Sequence, residues 1–259
     1  MGPIGLHGGG EFLAGDELFL NLLLDAAAAP AAARAAACGS PAEAREQGAI
    51  RVSVVPTAAA RERPDLAGAH AVAAFQAVAS ARGIAVRAEV VPIVDARSAA
   101  EPGLAGTLAA ADLIHLPGGH PGLVVEILAD TLAWRSILSA RARGAVLAGA
   151  SAGAMALAEW TWTPEGGRLA LGLVRGVLVA PHFEGLPRER WAAERDRVGR
   201  PDLGVVALDE RTGVLSGAEA GAWRVAGQGR AAWLGPGAAE PLIARHGELL
   251  RIHATLAAG

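Results

Sequence analysis

Residues 145–154 of this 259-residue chain read Ala-Val-Leu-Ala-Gly-Ala-Ser-Ala-Gly-Ala, so a short apolar run leads directly into a turn of small residues around Ser151. This pattern predicts a buried strand, a tight turn and a following helix, the arrangement called a nucleophile elbow. Small residues are needed on both sides of the serine because the backbone closes tightly and holds the serine in a strained conformation. The first amides of the helix would face the oxyanion of an acyl transfer. An ordinary glycine-rich turn without chemistry is the alternative interpretation.

Strands and helices alternate on the N-terminal side of this turn. Short runs rich in β-branched residues predict strands, and longer segments ending at glycine predict helices. The strands are expected at 50–56, 84–94, 112–116 and 145–148, and the helices at 64–82, 104–111 and 121–143. Strands that alternate with helices favour an α/β fold of three layers, in which helices cover both faces of a mostly parallel sheet.

The pattern changes after residue 200, where short strands alternate with glycine-containing turns. These strands, expected at 204–208, 213–215, 223–225 and 231–234, predict an antiparallel C-terminal edge on the same sheet. Residues 30–48 are expected to form a surface excursion of weak helix and loop. No long linker or internal repeat interrupts the chain, so residues 1–259 are expected to form one domain.

Composition excludes several classes of function. The 23 cationic side chains are all arginines and tyrosine is absent, which excludes a catalytic lysine or tyrosine. A net charge of −3 offers no basic surface for nucleic acid. The single cysteine, Cys38, excludes a disulfide framework and a cysteine-rich zinc site. No signal peptide and no uninterrupted apolar run of about 18 residues are seen, so we expect a cytoplasmic protein without a membrane span.

A nucleophilic serine requires a base and an orienting acid. Of the seven histidines, His182 follows an apolar run that would end near Ser151. Asp209 and Glu210 follow the predicted strand 204–208, and only one of them can face the site because neighbouring residues on a strand point to opposite sides. Glu165 is a further candidate for the acid.

A second glycine cluster lies at residues 116–122, which read Leu-Pro-Gly-Gly-His-Pro-Gly. It follows a predicted strand and precedes a predicted helix. Adjacent glycines let backbone amides approach a substrate oxygen, so this loop is a candidate for the second half of an oxyanion hole. A merely permissive turn is the alternative.

Four blocks of sequence together resemble peptidase family S51, which contains cyanophycinases and aspartyl dipeptidases. The blocks are 117–119, 149–154, 181–183 and 208–212, and residues 8–11 share the likeness. Members of this family are similar in fold to class I glutamine amidotransferase domains but use serine in place of cysteine. The order and spacing of the blocks are more specific than any single block.

The resemblance implies a role for each matching position. Ser151 would be the nucleophile, His182 the base and Glu210 the orienting acid, and the amides of Gly119 and Ala152 would form the oxyanion hole. It implies no metal ion and no organic cofactor. His120 departs from the amide or acid that usually follows the double glycine in this family, which leaves substrate specificity open.

Two other interpretations compete with this one. His7 and the glycines at 8–10 match the oxyanion motif of one lipase group, so an esterase of the α/β-hydrolase fold would use Ser151, Asp209 and His246. The wide separation of His7 from Ser151 and the short chain after Ser151 count against it. A non-catalytic protein of the same fold is the third interpretation, and the presence of all three triad candidates argues against that.

Arginines between His182 and residue 204 indicate the substrate class. Guanidinium groups bind carboxylates through paired hydrogen bonds, so Arg188 and Arg190 are expected to bind a small acidic peptide together with Gly118 and His120. Interleaved acidic residues equally suit a solvated helix. Tryptophans at 160, 162 and 191 are expected at the surface, where they would form either a homodimer contact or a wall of the substrate site.

Overall fold

The computed structural model describes residues 1–163, 166–184, 193, 199–217 and 219–257. The α-helices of these residues are α1 Glu17–Ala36, α2 Pro41–Gln47, α3 Pro64–Ala81, α4 Ala96–Ala99, α5 Pro102–Ala110, α6 Pro121–Leu128, α7 Leu132–Ala142 and α8 Ala152–Leu157. The strands are β1 Ile4–His7, β2 Ile50–Val54, β3 Val86–Val90, β4 Leu113–Leu116, β5 Val146–Ala150, β6 Ala158–Thr163, β7 Gly166–Leu169, β8 Val174–Ala180, β9 Gly204–Leu208, β10 Thr212–Ser216, β11 Ala222–Gly227, β12 Arg230–Leu234, β13 Leu242–Arg245, β14 Leu249–Arg251 and β15 Thr255–Leu256.

The first sheet has eight strands in the order β14-β11-β10-β1-β5-β4-β2-β3. Strands β1, β5, β4, β2 and β3 are mutually parallel. Strands β10, β11 and β14 form an antiparallel edge beside β1. All five residues of β5 are buried, as expected for a strand covered on both faces. The predicted α/β class, with a mostly parallel sheet and an antiparallel C-terminal edge, is therefore confirmed.

A second sheet contains strands that the sequence analysis assigned to the first. Its order is β13-β12-β9-β8-β6-β7, and β15 pairs with β8. Of the four strands expected at the antiparallel edge, β10 and β11 lie there, whereas β9 and β12 lie in the second sheet. The reason is strand pairing: β9 runs parallel to β8, with Val179 opposite Val206, and β12 pairs with the other side of β9.

The largest cluster of buried apolar side chains spans both sheets. It includes Leu6 of β1, Val177 of β8 and Val206 of β9. A second cluster lies on the opposite face of the first sheet, where Phe19 of α1 and Phe75 of α3 pack. Helices therefore cover both faces of the first sheet, and one of those layers also joins it to the second sheet.

The surface excursion expected at 30–48 is wrong for its first residues, because helix α1 extends to Ala36. The helix continues through Pro30, and Ala31 is buried in the same core cluster as Phe19. Among the described residues α1 alone is long and apolar enough to cross a membrane by length and composition. A third of that apolar window is buried inside the protein, so this helix contributes to the core.

The helix expected over 121–143 is two helices, α6 and α7. Between them Asp130 has φ 61°, a left-handed conformation that aspartate tolerates better than most residues. Thr131 then caps α7 by accepting a hydrogen bond from the Trp134 amide at 3.2 Å. The apolar periodicity continues through both helices and therefore hides the break.

Candidate active site

Ser151 occupies the sharp turn between β5 and α8. Its backbone has φ 48° and ψ −113°, the strained geometry that the sequence predicted. A β-carbon on Gly149 would stand 2.4 Å from the Gly153 carbonyl carbon, and one on Gly153 would stand 2.1 Å from the Leu116 carbonyl oxygen. Both glycines are therefore required for the turn to close against β4.

His182 reaches Ser151 from the second sheet. It follows β8 by two residues and has φ 53°, which turns the chain sharply after the strand. Its amide donates to the Gly8 carbonyl oxygen at 2.8 Å, and the next amide, of Phe183, donates to Leu208 at 3.0 Å. The buried Phe183 ring anchors this turn in a third apolar cluster. Backbone hydrogen bonds on both sides of this turn, together with the buried Phe183 ring, therefore fix the position of His182.

The side chains of Ser151, His182 and Glu210 form a continuous hydrogen-bonded chain. Ser151 Oγ lies 2.9 Å from His182 Nε2, and His182 Nδ1 lies 2.8 Å from Glu210 Oε1. Glu210 lies in the short connection from β9 in the second sheet to β10 in the first. The three residues therefore meet where the two sheets join.

The other candidate acids and bases lie elsewhere. Asp209 is buried and accepts two hydrogen bonds from Arg230, one from the backbone amide at 2.8 Å and one from Nε at 3.0 Å. His246 is exposed in the turn between β13 and β14, so the triad of the α/β-hydrolase interpretation is not assembled. Glu165 lies outside the described residues.

The loop after β1 packs against the histidine and the acid, and the sequence analysis missed its contribution. The Arg211 amide, next to Glu210, donates to the Gly9 carbonyl oxygen at 2.7 Å. A β-carbon on Gly10 would stand 3.0 Å from Glu210 Oε2. The sequence signal for this contact is the run of three consecutive glycines directly after a short apolar segment.

A buried contact between His7 and Asp16 supports this loop. His7 Nε2 lies 2.8 Å from Asp16 Oδ1, and the Phe12 amide donates to Asp16 Oδ2 at 2.9 Å. Burial by itself raises the pKa of Asp16, but the hydrogen bond and electrostatic interaction with His7, the hydrogen bond from the Phe12 amide and the nearby His115 together outweigh it, so the pKa lies below the usual value. His115 lies nearby between the rings of Phe12 and Phe75, and burial lowers its pKa to about 3.

The second glycine cluster lies beside Ser151. The Gly118 amide donates to Glu11 Oε1 at 2.8 Å. Gly119 has φ 142°, and a β-carbon there would stand 2.4 Å from the Ala58 carbonyl oxygen, so only glycine is accommodated. The His120 amide donates to the same Ala58 oxygen at 2.8 Å. The positive φ and the close backbone contact explain why a double glycine stands here.

An open cleft of about 450 Å³ lies next to this loop. Its walls include His120, Arg61, Glu126, Thr163 and Arg168. Arg61 forms an exposed salt bridge to Glu126 at 3.2 Å. Arg168 is on the exposed strand β7. The cleft therefore has in its walls His120, which directly follows Gly119, and two arginines, one of which is paired with Glu126.

The arginine-rich segment expected to bind substrate is described only in part. Arg188 and Arg190 lie outside the described residues. Arg200, at the end of this segment, forms hydrogen bonds to Asp202 and to Glu159, and its guanidinium lies 5.1 Å from the centre of the Trp160 ring. Asp202 and then Glu159 raise the pKa of Arg200. Arg200 thus links the segment before β9 to Glu159 of β6.

Trp160 and Trp162, two of the three tryptophans expected at the surface, are half-buried. Trp162 packs against the largest core cluster and Trp160 against the third, whereas Trp191 lies outside the described residues.

No cluster of three or more potential metal ligands occurs within the described part of the chain.

An α/β protein in which a strained serine contacts a histidine, and the histidine a carboxylate, has the arrangement of a serine hydrolase. The family model of peptidase family S51 matches residues 42–220. The chain belongs to this family, and the protein is therefore a serine-type peptidase.

Solved structures share the fold at low sequence identity. A peptidase from an acI-B1 actinobacterium is 23% identical, with a TM-score of 0.74 over 97% of each chain. A putative peptidase E protein from Listeria monocytogenes EGD-e is 15% identical, with a TM-score of 0.54 over 95% of this chain and 98% of that one. No sequence among the curated proteins matches this chain.

Proposed function

We propose that this peptidase hydrolyses aspartyl or β-aspartyl bonds in short acidic peptides through a Ser151-His182-Glu210 triad and an acyl-enzyme. The observation that carries the proposal is the unbroken hydrogen-bonded chain from Ser151 Oγ through the imidazole to Glu210. Its two distances are those of a nucleophile bound to its base and of a base bound to its orienting acid.

In the proposed reaction His182 Nε2 removes the proton from Ser151 Oγ as the oxygen attacks the peptide carbonyl. The imidazolium then gives this proton to the leaving amine as the peptide bond breaks, which leaves an ester on Ser151. A water molecule, deprotonated by His182, then attacks the ester, and the imidazolium returns this proton to Ser151 Oγ as the ester bond breaks and the acid is released. Glu210 keeps Nδ1 protonated in the resting enzyme and stabilises the imidazolium.

The amides of Gly119 and Ala152 are proposed to bind the oxyanion. Ala152 is the first residue of α8, and the first amides of a helix have no partner within the helix. Gly118 is less suited to this role because its amide already donates to Glu11. Preorganised backbone donors stabilise the charge that develops in the transition state.

The proposed preference for acidic substrates is supported by the charge of the cleft beside the double glycine. His120, Arg61, Glu126 and Arg168 line this cleft. Arg61 is paired with Glu126, so the group proposed to bind a substrate carboxylate is the guanidinium of Arg168 on the exposed strand β7. Arg188 and Arg190 remain candidates for the same role. A small acidic peptide, rather than a neutral ester, is the substrate that suits such a lining.

The triad is tested with Ser151→Ala and His182→Ala, assayed on an α-aspartyl and a β-aspartyl dipeptide. Each variant is expected to lose about three or more orders of magnitude in kcat while its circular dichroism spectrum stays that of the wild type. His246→Ala, in the exposed turn between β13 and β14, is the matched control and should retain activity. Wild-type turnover in Ser151→Ala would rule out the mechanism, and the preferred dipeptide identifies the linkage.

A further inference from the structure

Glu11 places a carboxylate at the mouth of the candidate active site, and the triad mechanism gives it no role. It follows the glycines at 8–10, which pack against the histidine and the acid. Its side chain is half-buried, and Oε1 accepts the hydrogen bond from the Gly118 amide at 2.8 Å. The carboxylate is therefore held in a defined position rather than free in solvent.

This position is directly beside the nucleophile. A β-carbon on Gly118 would stand 2.7 Å from Glu11 Oε1 and 3.4 Å from Ser151 Cβ. Both atoms lie on the same side of Gly118, so Glu11 Oε1 is no more than about 6 Å from Ser151 Cβ. A substrate carbonyl bound for attack by Ser151 therefore has this carboxylate as a near neighbour.

A carboxylate here works against the proposed reaction unless a cation accompanies it. The tetrahedral intermediate carries a negative oxygen, and two like charges a few ångströms apart repel strongly in a partly desolvated site. No salt bridge to Glu11 occurs among the residues that the structure describes, and the chain contains no lysine. The substrate itself is the natural source of the missing positive charge.

The α-ammonium group of an N-terminal residue is suited to this role. In an α-linked residue the amine nitrogen lies about 2.5 Å from its own carbonyl carbon. An ammonium group can therefore contact Glu11 while Ser151 attacks the neighbouring carbonyl. The same contact neutralises the carboxylate before the oxyanion forms.

We infer that Glu11 is a specificity-determining residue that binds the α-ammonium of the substrate's N-terminal residue and so confines cleavage to the first peptide bond. This inference rests on the proposed function, because it takes Ser151 as the nucleophile. It adds an end-recognition property that the triad by itself does not supply.

A purely structural role makes a different prediction. If Glu11 only ties down the Gly118 backbone, glutamine can replace it, because the amide oxygen of glutamine also accepts a hydrogen bond. Glu11→Gln removes the charge and keeps the acceptor. The variant therefore separates recognition of an ammonium group from support of the loop.

The test compares an aspartyl dipeptide with its desamino analogue, in which a succinyl group replaces the aspartyl residue. The two compounds differ only in the amine, so steric exclusion does not enter. The wild type is expected to favour the dipeptide in kcat/KM by about 10- to 100-fold, the range for a hydrogen bond to a charged group. Glu11→Gln should lose most of this preference, through a lower kcat/KM for the dipeptide.

Glu43→Gln, an exposed acid in the first turn of α2, is the matched control for net charge and should keep the wild-type preference. If Glu11→Gln also keeps it, or loses activity on both compounds equally, the inference is overturned while a Ser151-dependent hydrolysis leaves the proposed function intact. If the wild type cleaves neither compound, or Ser151→Ala cleaves both, the proposed function fails and the inference fails with it.

Discussion

The backbone of Gly9 lies directly against the imidazole of His182: a β-carbon on Gly9 would stand 2.2 Å from Cε1 of that ring. Gly9→Ala must therefore displace the imidazole from Ser151 or from Glu210. Because a misplacement of about 1 Å can cost roughly 100-fold in rate, we expect kcat to fall by about that factor or more. Steady-state kinetics on the preferred dipeptide measures the loss.

Gly144→Ala is the control for backbone strain in this experiment. Gly9 has φ 99° and Gly144 has φ 109°, but no atom lies within 4 Å of a β-carbon on Gly144. Both variants should lose a similar amount of stability from the unfavourable φ, about 1 kcal/mol or more. Only Gly9→Ala should lose activity, and equal loss in both would mean that contact with His182 is not the cause.

Glu210 and Asp209 are adjacent, and the structure predicts opposite consequences for their amide variants. Glu210→Gln should lower kcat by about 10²- to 10⁴-fold, because glutamine no longer fixes the tautomer of His182. Asp209→Asn weakens the ion pair between the buried Asp209 and the partly exposed Arg230, so it should lower the free energy of unfolding by about 1–3 kcal/mol and leave kcat nearly unchanged. Kinetics together with urea denaturation separates the two effects.

The positions of Ser151, His182 and Glu210 were accessible from the sequence because each follows a buried apolar strand, β5, β8 or β9. Residues just beyond such strands collect at one edge of an α/β fold. Which of Asp209 and Glu210 faces His182 could not be predicted from the residues without the resemblance. The answer depends on Arg230, which is distant in the sequence and binds Asp209.

The division into two sheets could not be predicted, because strand pairing leaves no local signature. Strand β9 has the same continuous apolar pattern as β10, yet it pairs with β8 while β10 pairs with β1. The role of Gly9 was hidden for a related reason. Its close contact is with His182, which is distant in sequence, and a glycine in a loop gives no sign of what faces it.

Replacing Ser151 by glycine should relieve backbone strain in the folded protein. The φ of 48° at this position belongs to a region that glycine adopts without strain. Ser151→Gly and Ser151→Ala both remove the hydroxyl and its hydrogen bond to His182, so the difference between them isolates the backbone. We expect Ser151→Gly to be more stable than Ser151→Ala by about 1–2 kcal/mol, a difference in Tm of several degrees. Equal Tm values would show that the strain relieved at this residue does not exceed the entropy that glycine adds to the unfolded chain.

The buried imidazole of His115 makes stability depend on pH. Burial lowers its pKa to about 3, with the neighbouring His7 acting in the same direction and Asp16 opposing it. Between about pH 6.5 and 3 the unfolded chain therefore binds a proton that the folded protein does not, and the free energy of unfolding falls as the pH falls.

The expected slope is up to about 1.4 kcal/mol for each pH unit. His115→Leu, which places an apolar side chain between Phe12 and Phe75, should remove this part of the slope. Urea denaturation at about pH 6 and pH 4.5 is the appropriate measurement, because the lowered pKa of Asp16 affects stability only below its unfolded value near 4. Parallel slopes for the variant and the wild type would mean that His115 is already protonated in the folded protein, and that its buried site tolerates the charge.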